Sequence, residues 1–139
     1  MKSKTFLDFL PTNFRHEKSF FIQNNLTDLE KISNLSELDI NEIQKNSSLC
    51  TLNNLRKIKA IAIFKKEIEI SPPQAYLLLH CGIGSIKSLS ITTPHELERK
   101  IGRLERSLRV KTETDITFTL LKKWINRAKQ FCEYNSNLG

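Results

Sequence analysis

The sequence has few of the residues that interrupt regular structure. Its 139 residues include only 4 Gly and 4 Pro, which excludes a collagen-like chain or a Pro/Gly-rich disordered one. No apolar run approaches the roughly 18 residues that a membrane span needs. Asp8 and Pro11 stand where a signal peptide would have its apolar core. We therefore expect a folded protein without a membrane partner, in the cytoplasm, or in the plastid stroma if the gene lies in an organelle.

Cysteine is scarce, and no catalytic or metal-binding pattern stands out. Cys50, Cys81 and Cys132 form no Cys-x-x-Cys pair, so neither a disulfide framework nor a zinc knuckle is predicted. His80 and Cys81 are neighbours, but neighbouring residues of a helix point to different faces, which argues against a shared zinc ion. The chain has no Walker loop, nucleophile elbow or His-Glu-x-x-His motif. We predict a protein that is not an enzyme and has no catalytic residue, metal or cofactor.

Positive charge is in excess and unevenly distributed. The formal net charge is +7. Residues 1–72 carry 11 basic and 9 acidic side chains, whereas residues 73–139 carry 11 and 6. A basic surface favours an anionic partner such as nucleic acid or an acidic protein. We expect that partner to bind the C-terminal half.

Apolar residues recur at separations of three and four, which is typical of helices. Three helix starts are indicated: at Thr51, at Ser71 followed by two prolines, and at Thr93 followed by Pro94 and Glu96. A threonine or serine before the first turn accepts a hydrogen bond from an unpaired amide, and proline fits the first turn. Strand-like alternation is almost absent, so the prediction is an all-α fold.

One pattern of apolar and small residues occurs twice. Its first part recurs at one constant separation, as Leu26, Leu29, Ile32 and Ser33 and again as Ile83, Ile86, Leu89 and Ser90. Glu37–Leu38 matches Glu96–Leu97 after a two-residue shift. Its last part recurs at a larger constant separation, as Leu52, Leu55, Ile58 and Ala62 and again as Phe118, Leu121, Trp124 and Ala128. The series predicts a duplicated helical unit whose two copies pack as one pseudo-symmetric compact body.

These observations predict five segments. Residues 1–19 are rich in phenylalanine and are expected to form a docking arm, and residues 20–66 form the first unit. A linker at 67–72 leads to the second unit at 73–131, and residues 132–139 are expected to be a tail.

Gly82-Ile83-Gly84 separates two apolar helical stretches. The glycines allow a positive φ and close backbone approach, while Ile83 anchors the turn. The amides that follow open a helix, an arrangement suited to a phosphate oxygen. Ser85 could either cap this helix or donate to the phosphate, and Lys87 could add charge. The alternative is a purely architectural turn.

A dense basic cluster follows, with six basic residues and one acid between positions 99 and 111. At helical spacing, Arg99, Arg103 and Arg106 share one face. The alternative is a solvated helix without a partner. Trp124 is expected in the core. The candidate nucleic-acid-binding set is Gly82, Ile83, Gly84, Ser85, Lys87, Arg99, Lys100, Arg103, Arg106 and Arg109.

The stretch from Ala75 to Leu104, with Gly82-Ile83-Gly84, Leu89 and Pro94-His95-Glu96-Leu97, resembles tandem helix-hairpin-helix modules. Such modules occur in DNA repair proteins and in the C-terminal domain of the RNA polymerase alpha subunit. With Trp124-Ile125 and Ala128 added, residues 20–131 are similar to domain of unknown function 4332, a family found largely in cyanobacteria and plastids.

The resemblance implies an all-α protein of two tandem helix-hairpin-helix (SAM-like) units and, through the relationship to helix-hairpin-helix proteins, a role with nucleic acid. It does not imply an enzyme. It places the hairpin on Gly82–Gly84 and a small packing residue on Ser88. Cys81 stands where a proline is usual, and Ile86 where DNA-binding versions often have a lysine.

The function predicted is backbone binding of nucleic acid, DNA more than RNA, with weak sequence specificity. The alternative is a protein-interaction adaptor, in which the hairpins are scaffold and the basic helix docks an acidic partner. The oligomeric state is left open.

Overall fold

The computed structural model describes residues 5–108 and 116–137, and within these ranges every regular element is helical. This confirms the all-α prediction. The chain divides into two compact units, the first ending at Pro73 and the second starting at Gln74. Among the residues described, no helix has the length and apolar character needed to cross a membrane.

The first unit consists of short helices packed on a longer one. Two 3-10 helices, Phe6–Phe9 and Thr12–Phe14, precede the α-helices. The first α-helix begins at Arg15, inside the segment predicted as an arm. Helices α2 and α3 pack against α4. The four helices are α1 (Arg15–Gln23), α2 (Leu29–Ser33), α3 (Glu37–Asn46) and α4 (Leu52–Ile63).

Helix α4 continues directly into a π-helical turn, Phe64–Ile68. The amide of Glu69, which has a left-handed backbone with φ 64°, donates to the carbonyl of Phe64 and closes the wider turn. Ile70 N–H donates to the same carbonyl at 3.3 Å. Phe64, Ile68 and Ile70 are all buried, so the wider turn keeps three apolar side chains in the core.

The rest of the described chain forms α5 (Pro72–His80), α6 (Ile86–Ser90), α7 (Pro94–Leu108) and α8 (Phe118–Asn137). Helix α5 begins two residues before the second unit does. Helices α6 and α7 pack against α8, which continues into the segment predicted as a tail.

The three predicted helix starts are confirmed. Thr51 Oγ1 accepts from the amide of Asn54 at 3.1 Å, and Thr93 Oγ1 accepts from the amide of Glu96 at 3.2 Å. Helix α5 begins at Pro72. Each threonine satisfies an amide that has no partner within its own helix.

The turn after α5 has the hydrogen bonds of a Schellman motif. Ile83 N–H donates to the carbonyl of Leu78 at 2.9 Å, and Gly82 N–H donates to that of Leu79 at 3.0 Å. Gly82 has φ 86°, a left-handed conformation that glycine adopts without steric cost. The turn reverses the chain within a few residues and leads to α6.

The turn after α1 has the same bonds at the matching position of the first unit. Leu26 N–H donates to the carbonyl of Phe21 at 2.8 Å, and Asn25 N–H to that of Ile22 at 3.2 Å. Asn25 has φ 57° and so takes the place that Gly82 has in the second unit.

The helix caps also recur at the separations of the sequence pattern. Ser36 caps α3, accepting from the amide of Asp39 at 3.1 Å. Thr93, which caps α7, follows Ser36 at the same separation that relates Leu26 to Ile83. Thr117 accepts from the amide of Leu120 at 3.1 Å and follows Thr51 at the separation found for the last part. The two-residue shift inferred from Glu37–Leu38 is therefore not present at the start of α3 and α7.

A buried carboxylate connects α1 to the start of α4. Glu17 is only 1% exposed. Its carboxylate accepts from the amide of Thr51 at 3.0 Å and from the side-chain nitrogen of Asn54 at 3.3 Å. A carboxylate at the N-terminal end of a helix meets unpaired amides and the positive end of the helix dipole.

The left-handed backbone at Gly82 predicts unequal effects of two substitutions. Gly82→Ala should lower the free energy of unfolding by about 1–2 kcal/mol, because an L-residue is strained there, although a Cβ would meet no atom within 4 Å. Gly82→Asn should cost less, because asparagine tolerates this conformation, as it does at position 25. Urea denaturation followed by circular dichroism measures both. Equal stability of the alanine variant and the parent would contradict the strain argument.

Candidate nucleic-acid interface

The turn between α5 and α6 has one buried side chain, and most of its other residues are exposed to solvent. Ile83 is 4% exposed and holds the turn in the core, as predicted. Gly82, Gly84 and Ser85 are exposed. A Cβ built at Gly84 would meet only Leu79 Cδ2, at 4.0 Å. The backbone at Gly84 is therefore accessible to a group that approaches from solvent.

Ser85 is engaged in capping α6. Its hydroxyl accepts from the amide of Ser88 at 3.1 Å, and Ser88 Oγ accepts from the amide of Ser85 at the same distance. Ser88 Oγ also donates to the carbonyl of Ser85 at 2.9 Å. The two serines thus satisfy each other, and the structure gives Ser85 a local role besides the phosphate contact predicted for it. Ser88 was expected only to pack, so its part in the cap was missed.

The predicted basic face of α7 lies towards solvent. Arg99, Arg103 and Arg106 are exposed, whereas Leu97 and Ile101 of the same helix are 0% and 4% exposed. Separations of three and four place the arginines along one side of the helix. Helix α7 therefore presents a row of guanidinium groups to solvent.

Two further predicted residues differ from these arginines. Lys100 is half-buried, and its Nζ lies 3.7 Å from Glu96 Oε1. Arg109, like the neighbouring Lys111, lies outside the described residues.

The end of α5 and the middle of α7 border a shallow, open recess of about 320 Å³. We call it the cationic recess; it is lined by His80, Cys81, Lys100, Arg103 and Leu104. The imidazole of His80 packs edge-on against Tyr76, with ring centroids 4.4 Å apart. Two residues of the predicted binding set, Lys100 and Arg103, therefore line the recess together with Cys81, the residue before Gly82.

His80 and Cys81 line the same recess, although neighbouring helical residues were expected on different faces. Both residues lie at the end of the helix: α5 ends at His80, and the amide of Cys81 still donates to the carbonyl of Leu77 at 3.1 Å. A shallow recess at a helix end can be bordered by two neighbouring residues, although their side chains diverge by about 100°.

The environment keeps the Cys81 thiol protonated at neutral pH. Burial raises the pKa of Cys81, and the nearby ammonium of Lys100 offsets part of that rise. Burial likewise raises the pKa of Cys50, with the carboxylate of Glu17 acting in the same direction. Since the thiolate is the reactive form, both cysteines are poor nucleophiles at neutral pH.

Lys87 lies elsewhere on the second unit. It lines an apolar groove of about 570 Å³ together with Ile86, Ile91, Phe131 and neighbouring residues of α8. This groove shares no lining residue with the cationic recess. The structure therefore does not bring Lys87 together with Lys100 and Arg103.

Helix α8 adds basic residues and one large core residue. Lys122, Lys123 and Lys129 are exposed, and Lys122 Nζ lies 5.9 Å from the centre of the Phe118 ring. Trp124 is 2% exposed, which confirms its predicted place in the core. Within residues 5–108 and 116–137, no three His, Cys, Asp or Glu side chains are grouped to hold a metal ion.

These features describe a small all-helical protein whose second unit presents exposed arginines beside a glycine turn. The chain belongs to the DUF4332 family, described as a domain of unknown function, which matches residues 11–131. The match confirms the similarity to this family that was predicted for residues 20–131. Comparison with curated proteins and with solved structures gives no significant match.

The proximity of Lys100 to Cys81 predicts a change in thiol reactivity. Lys100→Gln should slow alkylation of Cys81 by iodoacetamide at pH 8, because losing the cation raises the thiol pKa further and lowers the thiolate fraction. Peptide mass spectrometry across pH 7–10 measures the rate at this cysteine. Arg99→Gln, which changes a residue outside the recess, is the matched control. An unchanged pH profile in the lysine variant would show that the ammonium does not act on the thiol.

Proposed function

We propose that the protein is a non-enzymatic nucleic-acid-binding protein that contacts the phosphate backbone through α7 and the α5–α6 turn. The observation that carries this proposal is the solvent-facing row of Arg99, Arg103 and Arg106 on α7. Of these, Arg103 lines one recess with Cys81, the residue before the exposed turn at Gly82–Gly84. Guanidinium groups bind phosphate oxygens in a bidentate manner and stay charged at all relevant pH values.

The charge balance supports an anionic partner. Residues 73–139 hold 11 basic and 6 acidic side chains, and the three arginines named above contact solvent. Neutralising phosphates with such side chains releases counterions, so binding should weaken steeply as salt rises.

The nature of the contacts suggests weak sequence specificity. Helix α7 contains no aromatic residue that could stack on a base apart from the small ring of His95, and Trp124 is in the core. Phosphate contacts position a protein but read no sequence. The preference for DNA over RNA rests on the resemblance of Gly82-Ile83-Gly84 to the hairpins of DNA repair proteins.

A second candidate is a protein-interaction adaptor, in which α7 docks an acidic protein and the hairpin is scaffold. Two observations favour it. Ile86 is 6% exposed at the position where DNA-binding hairpins often have a lysine, and the Ser85 hydroxyl is engaged within its own cap.

Charge reversal on α7 tests the proposal. Arg103→Glu with Arg106→Glu should weaken binding to a labelled duplex by at least about ten-fold at 100 mM salt. The slope of the logarithm of affinity against the logarithm of salt concentration should also fall by about one for each arginine changed. Fluorescence anisotropy between about 50 and 200 mM salt measures both. The same titrations with single-stranded DNA and structured RNA identify the preferred nucleic acid.

The control is Lys31→Glu with Lys45→Glu, which changes the net charge equally at exposed positions of the first unit. Equal loss in both double variants would mean that only overall charge matters. Failure of the parent protein to bind any of the three nucleic acids would favour the adaptor, to be sought with acidic partner proteins.

The hairpin contact has its own test in Gly84→Ala. The added Cβ has room inside the protein, so the thermal midpoint should stay within about 2 °C of the parent, since surface changes alter stability little. Duplex affinity should nevertheless fall several-fold, because the methyl group occupies the space through which a phosphate would approach the backbone. Unchanged affinity would leave the turn as scaffold and α7 as the binding element.

A further inference from the structure

The cationic recess is a shallow depression where side chains from two helices meet. Lys100 and Arg103 are three residues apart on α7 and line the same cavity, and His80 lines it from the end of α5. Side chains that can donate hydrogen bonds therefore reach one cavity from two helices. Cys81 and Leu104, both half-buried, contribute the less polar part of its lining.

Nearby negative groups leave this charge available. The Lys100–Glu96 pair is 3.7 Å apart, with 38% and 44% of the two side chains exposed, and such surface pairs contribute little. The carbonyls of Leu77, Leu78 and Leu79 accept from amides of the turn. The negative end of α5 is thus largely satisfied and does not repel an anion strongly.

The charge at this recess favours a phosphate at a strand end. An internal phosphodiester carries a single negative charge and has two unesterified oxygens. A terminal phosphate has three free oxygens and a charge of about −1.5 to −2 near neutral pH. Its charge matches the two cations on α7, and its third free oxygen gives His80 a further acceptor.

We propose that the cationic recess binds the terminal phosphate of a nucleic-acid strand, so that the protein prefers strand ends to continuous backbone. This inference rests on the proposed function and deepens it. Lys100 and Arg103 bind the phosphate oxygens, and His80 donates a hydrogen bond to the same group. Arg99 and Arg106, which do not line the recess, contact the adjoining backbone.

The test compares duplexes of one sequence that differ only at their ends. Blunt duplexes with an internal fluorophore have 5′-phosphate, 3′-phosphate or hydroxyl ends, and a closed dumbbell has no end. Anisotropy should show about five- to ten-fold tighter binding to one phosphorylated form, as expected for one or two additional charge-assisted hydrogen bonds. The hydroxyl-ended duplex and the dumbbell should bind alike.

Matched variants separate the recess from the rest of α7. Lys100→Gln and Arg103→Gln should abolish the preference for the phosphorylated end. Arg106→Gln removes a charge of the same sign from the same helix outside the recess, so it should weaken binding to all four duplexes equally. Each variant is first compared with the parent by thermal denaturation, and retention of the preference in a folded Lys100→Gln protein would overturn the proposal.

Two failures can be told apart. If all four duplexes bind equally and Arg106→Gln weakens them, nucleic-acid binding stands and end recognition is wrong. If no duplex binds, the proposed function fails, and the recess is tested alone with deoxythymidine 5′-monophosphate by ¹⁵N nuclear magnetic resonance. Shifts confined to the recess and lost in Lys100→Gln would support a phosphate site, whereas no shifts would overturn it as well.

Discussion

The hydrogen bond from Ile83 N–H to the carbonyl of Leu78 fixes the arrangement on which the candidate site depends. It closes α5, requires the left-handed backbone at Gly82, and directs the chain into α6. Cys81, the residue that follows α5, lines the same recess as its neighbour His80. The same turn leaves the backbone of Gly84 open to solvent. One backbone bond therefore shapes both the recess and the exposed glycine.

Short helices in this protein depend on a longer neighbour for stability. Helices α2 and α6 have five residues each, far below the length at which an isolated helix is stable in water. Each gains stability from a capped N-terminus and from buried residues, Ile32 in one case and Leu89 in the other. Each also packs against the longest helix of its own unit. Local caps define where these helices begin, and packing determines that they form.

Local sequence signals predicted the fold better than the details of the site. The starts at Thr51, Pro72 and Thr93 depend on neighbouring residues, and these were predicted correctly. Glu17 was missed because its burial depends on partners 34 and 37 residues away. The shared recess of His80 and Cys81 was missed because it depends on the residue at which α5 ends. Capping was one of the two roles predicted for Ser85, and the structure shows it. The part of Ser88 was missed because this residue was assigned to packing alone.

The π-helical turn at Phe64–Ile68 lets the end of this helix hold one residue more than α-helical geometry would allow. Such a turn bonds across five residues instead of four, so the extra residue is taken up within the turn. The residues on either side therefore keep the faces they would have in an uninterrupted α-helix. Ile68 and Ile70, both fully buried, remain in the core of the first unit although the helix widens before them.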